Sequence, residues 1–96
     1  MEIVFEVTDK SGRTIHLSNE RWKHVNQEHP EVAPHVQDIK DALVHPTKIV
    51  PYEEDDKVNY YYRYFKQRQS KYMLVIVKYL NSHGFIITAY FVRNIK

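Results

Sequence analysis

Apolar and polar positions alternate from the first residues. Ile3, Phe5 and Val7 fall to one side, with Glu2, Val4 and Glu6 on the other, a period of two that predicts a half-buried strand from Met1 to Thr8. Asp9-Lys10-Ser11-Gly12 has turn chemistry, and Arg13-Thr14-Ile15-His16-Leu17 predicts a short returning strand that completes a hairpin. The period then lengthens. Ser18 suits an N-cap and Glu20 complements the dipole in the first turn of a helix running through Glu28. Pro30 ends it near His29, because the residue before a proline is pushed out of helical space. Trp22, Val25 and His29 share one stripe of this helix, and His24 lies off it with Glu20 and Glu28. A second helix is expected from Pro34 to Val44, its apolar stripe made by Val36, Ile39 and Leu43, with His45-Pro46 as the stop. Thr47 to Tyr52 reads as a strand that Pro51 confines to an edge or an end.

Three further strands follow the acidic turn Glu53-Glu54-Asp55-Asp56. They are Val58 to Phe65, Lys71 to Leu80 and Phe85 to Arg93, all rich in aromatic and β-branched residues. Gln67 to Ser70 and Asn81 to Gly84 separate them. Connections this short make neighbouring strands antiparallel, since a parallel crossover needs about a dozen residues or more. The expected fold is α+β, in the order β-β-α-α-β-β-β-β. An N-terminal β-hairpin and two helices pack on a four-stranded antiparallel sheet within one domain spanning residues 1–96.

Charge changes this picture more than composition does. The formal net of +2 hides a polarised chain. Residues 57–96 carry eight Lys or Arg and no acid, a net of +8, whereas residues 1–56 carry six against twelve acids, a net of −6. Tyr and Phe are interleaved with the basic residues of the last strands. Cationic groups beside stacking surfaces are what unpaired nucleotides bind. The plainer account is internal, with the acidic part neutralising the basic sheet. The absence of cysteine excludes disulfides and thiolate metal sites. No apolar run approaches the ~20 residues of a membrane span, and the start MEIVFEVTDK is unlike a signal peptide. The expectation is a cytoplasmic protein that does not enter membranes. The two glycines sit in turns, which argues against phosphate-cradling loops.

Six histidines invite a search for chemistry. Their spacing fits no standard zinc site, so no metal and no cofactor are expected. No nucleophile elbow supports a serine hydrolase. Metal-free acid–base chemistry remains. RNA cleavage of that kind needs a base for the 2′-hydroxyl, an acid for the leaving 5′-oxygen and cationic donors on the phosphate. Imidazole suits the proton transfers and the guanidinium fork suits the phosphate. The candidates are His24 and His29, then Arg63 within an aromatic strand, then Thr88 and Tyr90, which lie two apart on the last strand and so share a face. Each also has an ordinary reading: Arg63 and His24 as solvated positions, His29 as a helix end, Thr88 and Tyr90 as strand residues. Lys78 is best read as a lysine that snorkels from a strand end. His16, His35, His45 and His83 are read as structural or surface residues.

Arg21-Trp22-Lys23-His24-Val25, His29-Pro30-Glu31, Tyr62-Arg63 and Ile87-Thr88-Ala89-Tyr90-Phe91 together carry a family likeness. Over nearly its whole length the chain resembles small bacterial and phage domains of the Barnase–EndoU–colicin–RelE superfold of nucleases. The resemblance implies N-terminal helices against an antiparallel sheet and a metal-independent ribonuclease, often the toxin of a toxin–antitoxin or phage-conflict system. It implies His24 or His29, Arg63, Thr88 and Tyr90 as active positions. The resulting expectation is an endoribonuclease that leaves a 2′,3′-cyclic phosphate, with Arg63 on the phosphate and Tyr62, Lys66, Arg68, Lys78 and Arg93 contacting RNA. Its partners would be RNA and a cognate antitoxin whose acidic segment crosses the basic sheet. The alternative is a non-catalytic RNA- or protein-binding domain using the same surface, and a third reading is an antitoxin or immunity-like partner working through its acidic part.

Overall fold

The computed structural model describes residues 2–66, 69 and 71–96. Strands β1 (Ile3–Thr8) and β2 (Thr14–Ser18) form the hairpin, followed by helix α1 (Asn19–Glu28) and a 3-10 turn at Pro30–Val32. Helix α2 (Val36–Val44) then leads into β3 (Lys48–Pro51), β4 (Val58–Tyr64), β5 (Tyr72–Leu80) and β6 (His83–Val92). The α+β order is as expected. Ser18 caps α1 through its side chain, accepting from the Arg21 N–H at 3.1 Å. The 3-10 turn uses the residues between the helices, so α2 begins at Val36 rather than Pro34.

The sheet is where expectation and structure part. All six strands make one mixed sheet, in the order β1-β2-β6-β5-β4-β3. The expected four-stranded antiparallel sheet is therefore extended by the hairpin. β2 docks parallel to the start of β6, with Thr14, Ile15 and His16 opposite His83, Gly84 and Phe85. Every other neighbouring pair is antiparallel. The hairpin has apolar residues to bury and β6 has a free edge, so joining them satisfies both. Gly84 makes the close approach possible. A Cβ there would lie 2.7 Å from the Lys78 carbonyl oxygen and 3.0 Å from side-chain atoms of Ile15 and Tyr79. Gly84→Ala is accordingly expected to cost about 1–3 kcal/mol by overpacking, measured as a lower urea midpoint with the slope unchanged. The β5–β6 turn is tighter than expected, only Asn81 and Ser82, with Asn81 in the left-handed region at φ 61° that asparagine tolerates.

One face of the sheet holds the core. Ile15, Leu17, Tyr61, Met73, Val75, Val77, Ile86 and Ala89 pack there with Val25 of α1, Val32 of the 3-10 turn and Ile39, Ala42 and Leu43 of α2. A register shift between Ile3 and Phe5 breaks the alternation of β1, leaving Ile3 exposed while Val4 packs against the core. The pleat sends the intervening residues to the opposite face. Cross-strand pairing makes rows there of Lys48, Tyr62, Leu74 and Tyr90, then of Val50, Tyr60, Ile76 and Thr88. A shift between Ile76 and Val77 places an extra residue, Ile87, in β6, after which Lys78, Phe85 and His16 continue the same face.

Among the described residues no helix is long and apolar enough to cross a membrane.

Candidate functional site

Among the described residues, candidate positions line two clefts. The first, about 790 Å3, lies over the face opposite the core. Tyr60, Tyr62, Leu74 and Tyr90 form its floor, Val50, Tyr52, Glu53 and Glu54 one side, and Arg93 and Lys96 the other. Alternation in β4 creates that floor, because Tyr60, Tyr62 and Tyr64 all project to one side. The Tyr52 and Tyr60 rings stack at 5.5 Å and 12°, and Tyr60 leans on Tyr62. The Tyr52 hydroxyl donates to the Glu54 carboxylate at 2.8 Å, which raises its pKa above that of an ordinary phenol. The cleft thus combines aromatic faces, a carboxylate rim and a basic rim.

His29, outside the cleft lining, is brought against Tyr90 of its floor by a local device. It closes α1, its N–H donating to the Val25 carbonyl at 2.7 Å, but the following proline forces a non-helical φ of −136° and ψ of 71°. β2 covers β6 only as far as Phe85, so beyond that point α1 and the 3-10 turn lie against β6. The His29 ring stacks on Tyr90 with centroids 4.5 Å apart and planes within 17°. The Glu31 carboxylate stands 3.9 Å from Nδ1, too far for a hydrogen bond. Burial, and then the neighbouring Tyr60 and Tyr62, raise the pKa of Tyr90. Its phenol therefore keeps its proton at neutral pH and serves as a hydrogen-bond donor, not as a base. Thr88, one pleat along the same face, has a buried hydroxyl with no hydrogen-bond partner among the described residues. Asn26 of α1 likewise has a buried, unpartnered side-chain oxygen. Orphaned groups of this kind are uncommon and concentrate where a ligand or water is to be bound.

The structure therefore brings His29, Thr88 and Tyr90 to one face. His24 is exposed on α1 and lines the second cleft, of about 580 Å3, with His16, Arg21 and His83. Arg63 is not brought to either. It pairs with Met73 across β4 and β5, in the row that faces the core, and its Nη1 donates to the His45 carbonyl at 2.6 Å. His45 is the C-cap of α2, so the guanidinium satisfies an otherwise orphaned helix-end carbonyl.

Of the expected RNA contacts, Arg93 is exposed at the first cleft. Tyr62 is on its floor but only 1% exposed, so Tyr52 and Tyr60 supply the accessible ring faces instead. Lys78 forms an ion pair with Asp55 at 3.2 Å. Asp55's carboxyl is held below the usual range first by the Lys57 backbone N–H and then by Lys78, which ties down the β3–β4 loop. Lys66 is exposed just beyond β4, away from both cleft linings. Arg68 lies outside the described residues. Sequence reasoning passed over Tyr52, Tyr60, Arg21, His16 and His83. Alternation in β4 could have flagged Tyr60, whereas nothing local places His16 beside β6.

No protein-family model matches the chain, and neither a curated protein nor a solved structure matches it.

Proposed function

We propose that this chain is a metal-independent endoribonuclease working on the face opposite its core. The observation that carries the reading is the His29–Tyr90 stack, whose tyrosine also forms part of the floor of a tyrosine-lined cleft. RNA bases stack on Tyr52 and Tyr60, and Arg93 and Lys96 meet the backbone. Cleavage is transesterification. A base takes the 2′-hydroxyl proton, the 2′-oxygen bonds to phosphorus, the bond to the 5′-oxygen breaks, and an acid protonates that leaving oxygen. The products are a 2′,3′-cyclic phosphate and a 5′-hydroxyl. His29 carries one of the two proton transfers and a water molecule the other. Tyr90 offers its hydroxyl to the phosphate as its charge builds. In a toxin–antitoxin setting, an acidic segment of the antitoxin would cover Arg93 and Lys96.

The test is incubation of the purified protein with total RNA in EDTA, read on a denaturing gel. Discrete fragments are expected from the wild type and also from Arg63→Ala, whose side chain caps α2. Loss of cleavage in a folded Arg63→Ala protein would instead restore that arginine to the phosphate. The tyrosine cleft equally favours a non-catalytic RNA-binding domain. RNA left intact but retarded on a native gel, less so at higher salt, would decide for that reading.

A further inference from the structure

Three imidazoles from three different elements line the second cleft. His16 comes from β2, His24 from α1 and His83 from the first residue of β6, with Arg21 one helical turn before His24. The parallel pairing of β2 with β6 assembles them, setting Thr14 beside His83 and His16 beside Phe85. The His16 and Phe85 rings lie 6.3 Å apart at 35°. Among the described residues none of these three imidazoles has a hydrogen-bond or ion-pair partner, in contrast to His35, whose Nδ1 lies 2.8 Å from the Asp38 carboxylate. Nor, among the described residues, does any group of histidines and acids have the arrangement that holds a metal ion.

The charges around the cleft decide what it can take. Arg21 is opposed by Glu20 and Glu28 of α1 and by Glu6, which pairs with His16 across the hairpin. One positive and three negative groups give −2 with neutral rings, and three protonated rings turn this to +1. Lys78 shares a row with Phe85 but is neutralised by Asp55. Imidazole as a side-chain type gains a proton in acid, so acid makes the cleft more positive. An aromatic wall beside a guanidinium and protonatable imidazoles matches a nucleotide phosphate, with the ring available to the attached base or sugar. The volume, about 580 Å3, falls within the ~300–1,000 Å3 of small-ligand clefts.

We propose that this cleft is a phosphate-binding subsite strengthened by acid, with Arg21 as the permanent donor, His16, His24 and His83 as proton-dependent donors, and Phe85 as the platform for the nucleoside. That the phosphate belongs to RNA rests on the ribonuclease reading, whereas the cleft's affinity for phosphate does not.

The experiment is a titration of the whole chain with inorganic phosphate, followed through the histidine ring C–H signals by NMR at about pH 5.5 and about pH 8. At the lower pH, the His16, His24 and His83 signals are expected to move together along one saturation curve, with those of His35 and His45 still. Affinity should fall at least about tenfold at the higher pH. Arg21→Gln, at an exposed position, should weaken binding about tenfold with the melting temperature unchanged. Proportional movement of all six rings, or binding indifferent to Arg21→Gln, overturns the proposal. Phosphate binding with total RNA left intact would retain the cleft and remove the ribonuclease. RNA cleavage without a phosphate response at these three rings would do the reverse.

Discussion

Replacing His29 by alanine is expected to slow RNA cleavage in EDTA by about 10²–10⁴-fold, the usual contribution of a positioned acid or base. The fold should survive. His29 is half-buried at a helix end, and its backbone N–H, which closes α1, is kept in the variant. Tyr90→Phe separates the two partners of the stack. It preserves the ring against His29 and removes only the hydroxyl, so a loss of about tenfold is expected, the cost of one hydrogen bond to a charged group. The pH profile tells the roles apart. A histidine that transfers a proton leaves its ionisation in the rate, and that limb should vanish in His29→Ala. Tyr90, with its pKa raised by burial, should contribute no limb near neutrality. A folded His29→Ala protein that cuts at the wild-type rate would sink this site assignment.

The other large effect is expected at the hairpin turn, at Asp9, which lines neither cleft. Asp9→Ala should destabilise the fold by about 3 kcal/mol or more, because it removes the common acceptor of a buried network. Asp9 is 4% exposed. One carboxylate oxygen accepts from the Ser11 N–H at 2.9 Å, the Ser11 hydroxyl at 2.6 Å and the Arg13 N–H at 3.0 Å. The other accepts from the Tyr61 hydroxyl at 2.9 Å and from the Tyr79 hydroxyl, and the two phenols are 2.5 Å apart. The Arg13 guanidinium lies over the Tyr79 ring, 3.4 Å from its centroid. The hairpin turn is thereby fastened to β4 and β5. Burial alone would raise the Asp9 pKa, but the bonds from Ser11, Tyr79, Arg13 and Tyr61 outweigh it and hold the carboxyl below its ordinary 3.8. The same burial, and the hydrogen bond to Asp9, push Tyr79's phenol far up.

The sign of the pH effect follows. Between the folded and unfolded values the unfolded chain binds more protons, so stability rises with pH. The contribution of Asp9 is fully present above 3.8 and is lost as pH falls through the lower folded value. Urea melts of the wild type from neutrality to strong acid should show this loss, and Asp9→Asn should lack that part of it. Tyr79→Phe should cost less, about 1–2 kcal/mol, since Tyr61 still reaches the carboxylate. An Asp9→Ala protein as stable as the wild type at neutral pH would show that the network adds nothing net.

Local patterns were readable in the chain. Ser18 before a helical period, Pro30 after one, and aromatic runs broken by turns determine the elements and their order, because caps, prolines and side-chain alternation act within a few residues. Alternation also puts Thr88 with Tyr90, and Tyr60 with Tyr62, whatever the strands pair with. Only the tertiary structure decided which elements meet. The parallel joint of β2 with β6 links residues almost seventy positions apart, and it alone turns His16 and His83 from surface residues into the walls of a cleft. Arg63 has its face set by a register with Met73 that no local rule specifies, and its guanidinium taken by the end of α2. Asp9 reads as a turn residue until Tyr61 and Tyr79 arrive from β4 and β5. Local sterics and hydrogen bonding wrote the elements into the sequence, whereas the burial of apolar faces against one another, a property of the whole chain, settled the pairing and with it the site.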